Sequence, residues 1–251
     1  MCGIAGAFVY DAEAARLGCL KAAVMASASR GEDAFGVVRW SPSTGFRRIF
    51  RQGRYAGDWM KEIGEPIPGE LTAYLHTSRA EPTTEWRKEK RDIDVPPFVD
   101  KGIAVAHNGI IANDSMLADE YGLERISHID TAVVPALVAQ IGVWKAVAAL
   151  TGGMALAVFN SQDRSLVLCR NFMPLVTAWL PGVVTFASEA AFFPEADKPF
   201  REYQQWDLPP FSSIEISEHG FRGPIPWGQS PEESSSTAWT HFPSLCWRSN
   251  G

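Results

Sequence analysis

Apolar residues fall mostly in short runs broken by turn formers, and only a few stretches carry helical spacing. Residues 3–10 are small, apolar and partly β-branched, which predicts a buried strand. Residues 11–29 are alanine-rich, with Leu17, Leu20, Ala23 and Val24 at helical intervals, and predict a helix broken by Arg30-Gly31-Glu32-Asp33. Residues 35–40 and 46–52 predict a strand pair across the turn Ser41-Pro42-Ser43-Thr44-Gly45, while residues 53–69 carry no clear pattern. A strand is expected at 71–77, a charged loop at 81–101, and a short strand at 102–107 ending at Asn108-Gly109, a strong turn dipeptide. Asp114 is expected to cap a helix starting at Ser115, and Asp130 one running through Leu137. A helix at 143–150 is stopped by Thr151-Gly152-Gly153. Short strands are expected at 154–159, 165–170, 176–180, 183–187 and 211–216. Strands cluster in both halves without strict β-α alternation, which predicts a layered α+β sandwich and not a doubly wound parallel sheet. The Ser/Pro/Trp-rich residues 223–251 read as a tail, loosely ordered or docked through Trp227, Trp239, Phe242 and Trp247, behind a domain at 2–222.

Composition narrows the classes. The 251 residues suit one large domain or two small ones. A formal net charge of -6 implies no basic face, so no nucleic-acid partner is expected. The longest apolar stretch, residues 129–150, contains Asp130 and Lys145, and residues 1–10 lack a positive leader. A soluble, cytoplasmic protein is expected, with no membrane partner. Cys2, Cys19, Cys169 and Cys246 show neither C-x-x-C spacing nor local histidines, which argues against a metal site. In a reducing compartment Cys2 stays a free thiol.

Cys2 carries the sharpest chemistry. Removal of Met1 would leave a thiol and a free α-amine on one residue. The amine titrates near ~8 and the thiol near ~8.5, so the amine can take the thiol proton, and nucleophile and base come from one residue. Met1-Cys2-Gly3-Ile4-Ala5-Gly6 resembles the opening of class II glutamine amidotransferases. The resemblance continues in chain order through Arg30-Gly31-Glu32-Asp33-Ala34-Phe35-Gly36, Leu75-His76-Thr77-Ser78-Arg79-Ala80 and His107-Asn108-Gly109-Ile110-Ile111-Ala112-Asn113. Asp130-Thr131, Gly152-Gly153-Met154-Ala155-Leu156-Ala157, Arg170-Asn171-Phe172-Met173-Pro174-Leu175 and Phe186-Ala187-Ser188-Glu189 complete it, over residues 2–216.

The resemblance implies the four-layer αββα sandwich of N-terminal nucleophile hydrolases, with no metal or organic cofactor. It implies glutamine, or another γ-glutamyl small molecule, as substrate and a thioester at Cys2. Asn108 and Gly109 would donate to the tetrahedral oxyanion. Arg79 would pair with the substrate carboxylate and Asp130 with its ammonium. Thr77, His76 and His107 flank these positions, with both histidines read chiefly as structural, and Arg30 and Gly31 shape the loop beside Cys2. Departures stand in the same segments. Ser78 is interposed before Arg79, Ala80-Glu81-Pro82 follows where the family has threonine, which has no clear equivalent here unless a loop shift brings in Thr83 or Thr84, and Asp130-Thr131 is followed by Ala132 where the family has glutamate. A tail of this length is no synthase domain, so an ammonia-accepting synthase subunit in trans is expected. The alternatives are a stand-alone γ-glutamyl amidohydrolase and a non-catalytic glutamine-binding module.

Overall fold

The computed structural model describes residues 2–81, 91–193, 204–234 and 240. In chain order the strands are β1 (Gly3–Val9), β2 (Ala34–Ser41), β3 (Gly45–Gln52), β4 (Thr72–Arg79), β5 (Phe98–Asp100), β6 (Ile103–Ile111), β7 (Gly152–Asn160), β8 (Ser165–Arg170), β9 (Val176–Leu180), β10 (Val183–Ala187), β11 (Gln204–Asp207), β12 (Ser212–Ser217) and β13 (Gly220–Pro226). They form two antiparallel sheets, ordered β11-β9-β10-β1-β4-β2-β3 and β13-β12-β8-β7-β6-β5. The helices are α1 (Gly18–Ala26), α2 (Trp59–Ile63), α3 (Asp114–Tyr121), α4 (Val134–Ile141) and α5 (Val143–Ala149).

Side-chain alternation sorts the core into layers. Ile4 and Phe8 of β1 join Leu75, Ala104, Ala106, Ala157 and Ile214 between the two sheets. Ala5, Ala7 and Val9 of the same strand face Leu20, Val24 and Trp59 of α1 and α2. On the far side, Val105, Leu156 and Val158 meet Leu117, Leu137 and Val147 of α3, α4 and α5. Both faces of each central strand are buried, which is why β1 reads as one continuous apolar run instead of an alternating one. The result is the expected four-layer αββα sandwich. Among the described residues no helix is long and apolar enough to cross a membrane.

Several elements differ from the sequence expectation. Helix α1 starts only at Gly18, because Asp11 Oδ1 accepts from the backbone N–H groups of Glu13 and Ala14 and holds that stretch in a turn. The unpatterned 53–69 segment contains α2, whose Asp58 side chain accepts from Lys61 N–H. Strand β6 does not end at residue 107 but runs straight through Asn108-Gly109, paired with β7 along its length. Asp114 is the first residue of α3, with Asn113 at the cap. Asp130 opens a 3-10 turn, Asp130–Val133, ahead of α4. Strand β13 crosses the expected 222/223 boundary; its Pro224 is tolerated because β13 is an edge strand. Trp227 packs against the α4–α5 layer, while Trp239, Phe242 and Trp247 lie outside the described residues.

Candidate active site

Cys2 immediately precedes β1 at the middle of the first sheet. Its parity with Ile4 sends the side chain toward the space between the sheets. The start of β1 is clamped from two directions. Ser188 Oγ accepts from Ile4 N–H at 2.9 Å, and Ser188 N–H donates to Ile4 O at 2.9 Å. Arg30 Nε donates to the Cys2 carbonyl at 3.0 Å while its Nη1 pairs with Glu189. Gly31 lets this loop lie against the end of β4, where a Cβ would meet Ala80 N and Arg79 C at 2.4 Å. Arg30 and Gly31 thus lie in the loop that packs beside Cys2.

The Cys2 thiol lies 3.8 Å from Ala80 O. Burial pushes its pKa up; the Arg79 guanidinium pulls it down and the Asp130 carboxylate adds to the rise. Cys2, Arg79 and Asp130 therefore share one electrostatic neighbourhood. Thr77 and Arg79 share a β4 face with Leu75, toward the second sheet. Both are buried, and the Thr77 hydroxyl has no hydrogen-bond partner among the described residues.

Asn108 shares the inner face of β6 with Ala104 and Ala106, opposite β1 and β4. It is fully buried, and neither its Nδ2 nor its Oδ1 has a partner among the described residues. Gly109 takes φ 133°, and a Cβ there would sit 2.0 Å from Gly153 O. Only glycine fits that approach.

The two histidines lie elsewhere. His76 projects from the opposite face of β4 into the α1 layer. Its Nδ1 donates to Gly36 O at 2.7 Å, and its Nε2 lies 2.7 Å from Ser27 Oγ and 2.9 Å from Ser78 Oγ. Burial pushes its pKa down to about 3, so it is a neutral structural group, and the structure does not bring it to the site. His107 faces the helices of the second sheet. Its Nδ1 lies 2.7 Å from Thr131 Oγ1, which donates to Asp130 Oδ1 at 2.9 Å. With the Thr131 hydroxyl proton committed to Asp130, His107 is the donor to Thr131. Asp130 Oδ2 accepts from Ile111 N–H at 2.8 Å. His107 thus stands behind Asp130 and orients it through Thr131. A second clamp holds the preceding loop: Asp94 receives Arg91 and Ser127. Burial raises the Asp94 carboxyl, but these partners outweigh it and hold its pKa at about 2.

A family model described as a glutamine amidotransferase domain matches residues 89–195. The chain is 29% identical over 243 residues to a 7-cyano-7-deazaguanine synthase of Saccharolobus solfataricus, covering 87% of this chain and 49% of that protein. It is 30% identical over 232 residues to a glutamine–fructose-6-phosphate aminotransferase of Haemophilus ducreyi, covering 87% and 36%. The chain carries a class II glutamine amidotransferase domain. The fold agrees: a glutamine phosphoribosylpyrophosphate amidotransferase structure from B. subtilis superposes with TM-score 0.62 at 18% identity, over 87% of this chain and 48% of that one. The chain spans half or less of the length of these relatives.

Two further residues stand beside the candidate site that the sequence motifs do not assign to it. Asn171 stands in a matched segment, but its use is visible only in the fold: its Oδ1 accepts from Met154 N–H at 2.7 Å and its Nδ2 donates to Gly152 O at 2.8 Å, fixing the strand that backs Gly109. Glu81 follows Arg79 by two residues, just past the end of β4, and the sequence carries no sign that the two charges are buried together.

Proposed function

We propose that this domain hydrolyses the side-chain amide of glutamine to glutamate and ammonia through a Cys2 thioester, and that the ammonia serves a synthase unit outside these 251 residues. The observation that carries this reading is Asn108: a fully buried amide with no partner among the described residues, on the sheet face that meets the strand led by Cys2. Leaving a buried polar group unsatisfied costs about 1–3 kcal/mol. An oxyanion formed on attack by Cys2 would receive that donor together with Gly109 N–H.

The steps follow from the charges. Burial keeps the Cys2 thiol protonated at neutral pH, so a base must accept its proton as the sulfur attacks. With Met1 removed, the Cys2 amine is that base, and it returns the proton to the departing ammonia. Water then opens the thioester. Arg79 and Asp130 hold the substrate's carboxylate and ammonium, and Asp130 is preset for this by Ile111, Thr131 and His107. The alignments span half or less of the relatives whose names state a synthase or aminotransferase activity, which supports an acceptor beyond this domain. Exposed apolar side chains support it too: Ile110 beside Gly109, and Phe172 stacked edge-on with Phe211 at 4.9 Å. A chemistry that needs a free thiol fits a reducing, cytoplasmic setting.

The test is intact mass before and after exposure to a diazo-ketone analogue of glutamine, with Cys2→Ala as control. Loss of Met1 and a single adduct absent from Cys2→Ala is the expected outcome. A retained Met1 in an active preparation, or an adduct that persists in Cys2→Ala, overturns the mechanism.

A further inference from the structure

Arg79 is the group to which a free α-carboxylate would bind, yet it already faces a carboxylate of its own chain. Glu81 Oε1 lies 3.4 Å from Arg79 Nη1, and the two side chains are only 5% and 7% exposed. The backbone around the pair is fixed. Glu81 N–H donates to Asp33 Oδ2 at 2.8 Å, and Asp33 N–H donates to Arg79 O at 2.9 Å. The same loop carries Arg30 beneath Cys2. Glu81 therefore stands where it does by construction and not as a drifting surface charge.

We propose that Glu81 is a specificity-determining residue: an internal carboxylate that occupies the substrate-carboxylate position on Arg79 and has to leave before a free amino acid binds. The proposal rests on the glutamine reading above. Binding glutamine then exchanges one ion pair for another, so the substrate carboxylate adds little net affinity. The apparent Kd is raised by the inverse of the fraction of molecules in which Arg79 is open. A ligand with a neutral α-amide in place of the carboxylate leaves the Glu81 pair intact and escapes that penalty.

Calorimetry on a Cys2→Ala background, where nothing is consumed, tests this with L-glutamine and L-glutamine α-amide, each with and without Glu81→Gln. Glutamine keeps the main-chain hydrogen bond and nearly the same volume but removes the charge. The expected result is about tenfold tighter L-glutamine with Glu81→Gln, and an α-amide affinity unchanged within about twofold. Unchanged or weaker L-glutamine, or equal tightening of both ligands, overturns the proposal. Should Glu81→Gln not fold, the Glu81 chain alone decides. A preference for L-glutamine of only a few-fold supports the internal competitor, and a preference of about a hundredfold, as for an uncontested charge-assisted pair, overturns it. If L-glutamine binds and only the Glu81 comparison fails, the glutamine reading survives; if neither ligand binds any variant, both fall.

Discussion

Asn108 and Gly109 do different work at adjacent positions. The Asn108 amide sits in the core with no partner among the described residues, a local cost that the proposed oxyanion would repay. Asn108→Ala is expected to lower kcat for glutamine hydrolysis by about 10²–10³. Its melting temperature should hold or rise, because an unsatisfied buried group is removed. A parallel loss of stability and activity would make Asn108 a packing residue instead. Gly109→Ala is expected to destabilise the fold by about 3 kcal/mol or more, read as a lower urea midpoint, since the new methyl would press on Gly153 O and the backbone is left-handed there. The pair also shows how far a sequence can be read. Asn-Gly signals a hairpin because both residues tolerate positive φ. Here only Gly109 takes it, and the strand continues because β7 presents Gly152 and Gly153 opposite Ile111 and Ile110. That partner lies far along the chain, beyond any local pattern. The residues of the candidate site were named from the ordered motifs; the Glu81 contact was not legible, because a charge beside a charge looks the same whether solvated or buried.

The 3-10 turn Asp130–Val133 holds the Asp130 carboxylate in place without presenting a full helix N-terminus. Its Asp130 carboxylate is claimed by Ile111 N–H, Thr131 N–H and the Thr131 hydroxyl. Thr131→Val keeps the shape of the turn but removes the hydroxyl between His107 and Asp130. The expected effect is a KM for glutamine raised about three- to tenfold with kcat nearly unchanged, as one positioning hydrogen bond of about 1 kcal/mol is lost. A fall in kcat at constant KM would place Thr131 with the reacting atoms. Most strands were legible at this scale from their apolar runs. The misses have local causes: Asp11 stealing backbone donors ahead of α1, and a proline in β13 that suggests a tail when it marks an edge.

Across the whole molecule, buried histidines tie stability to pH. His76 stays neutral in the fold down to about pH 3, whereas the unfolded chain takes up its proton near 6.5. Its contribution is complete above that value and is lost progressively as the pH falls toward 3. His107, also lowered by burial, acts with the same sign. Asp94, held at about 2, adds its loss only below its ordinary 3.8, and Glu215, raised by burial above 4.5, works in the opposite direction near that value. The urea midpoint is thus expected to be level from pH 8 to about 6.5 and to fall below it, by at most about 1.4 kcal/mol per pH unit for each histidine. His76→Gln should flatten that slope; an unchanged slope would show that other groups set it.

The pairing of β1 has one more consequence. It bonds to β4 through Gly3↔Ser78 and to β10 through Ala5↔Ala187. A ribosome finishes this strand long before it makes the second neighbour. Pairings this distant form slowly and leave an open edge meanwhile. Residues 5–9 are therefore expected to keep one unpaired edge through most of translation, until residues 183–187 arrive and close the sheet beside Cys2.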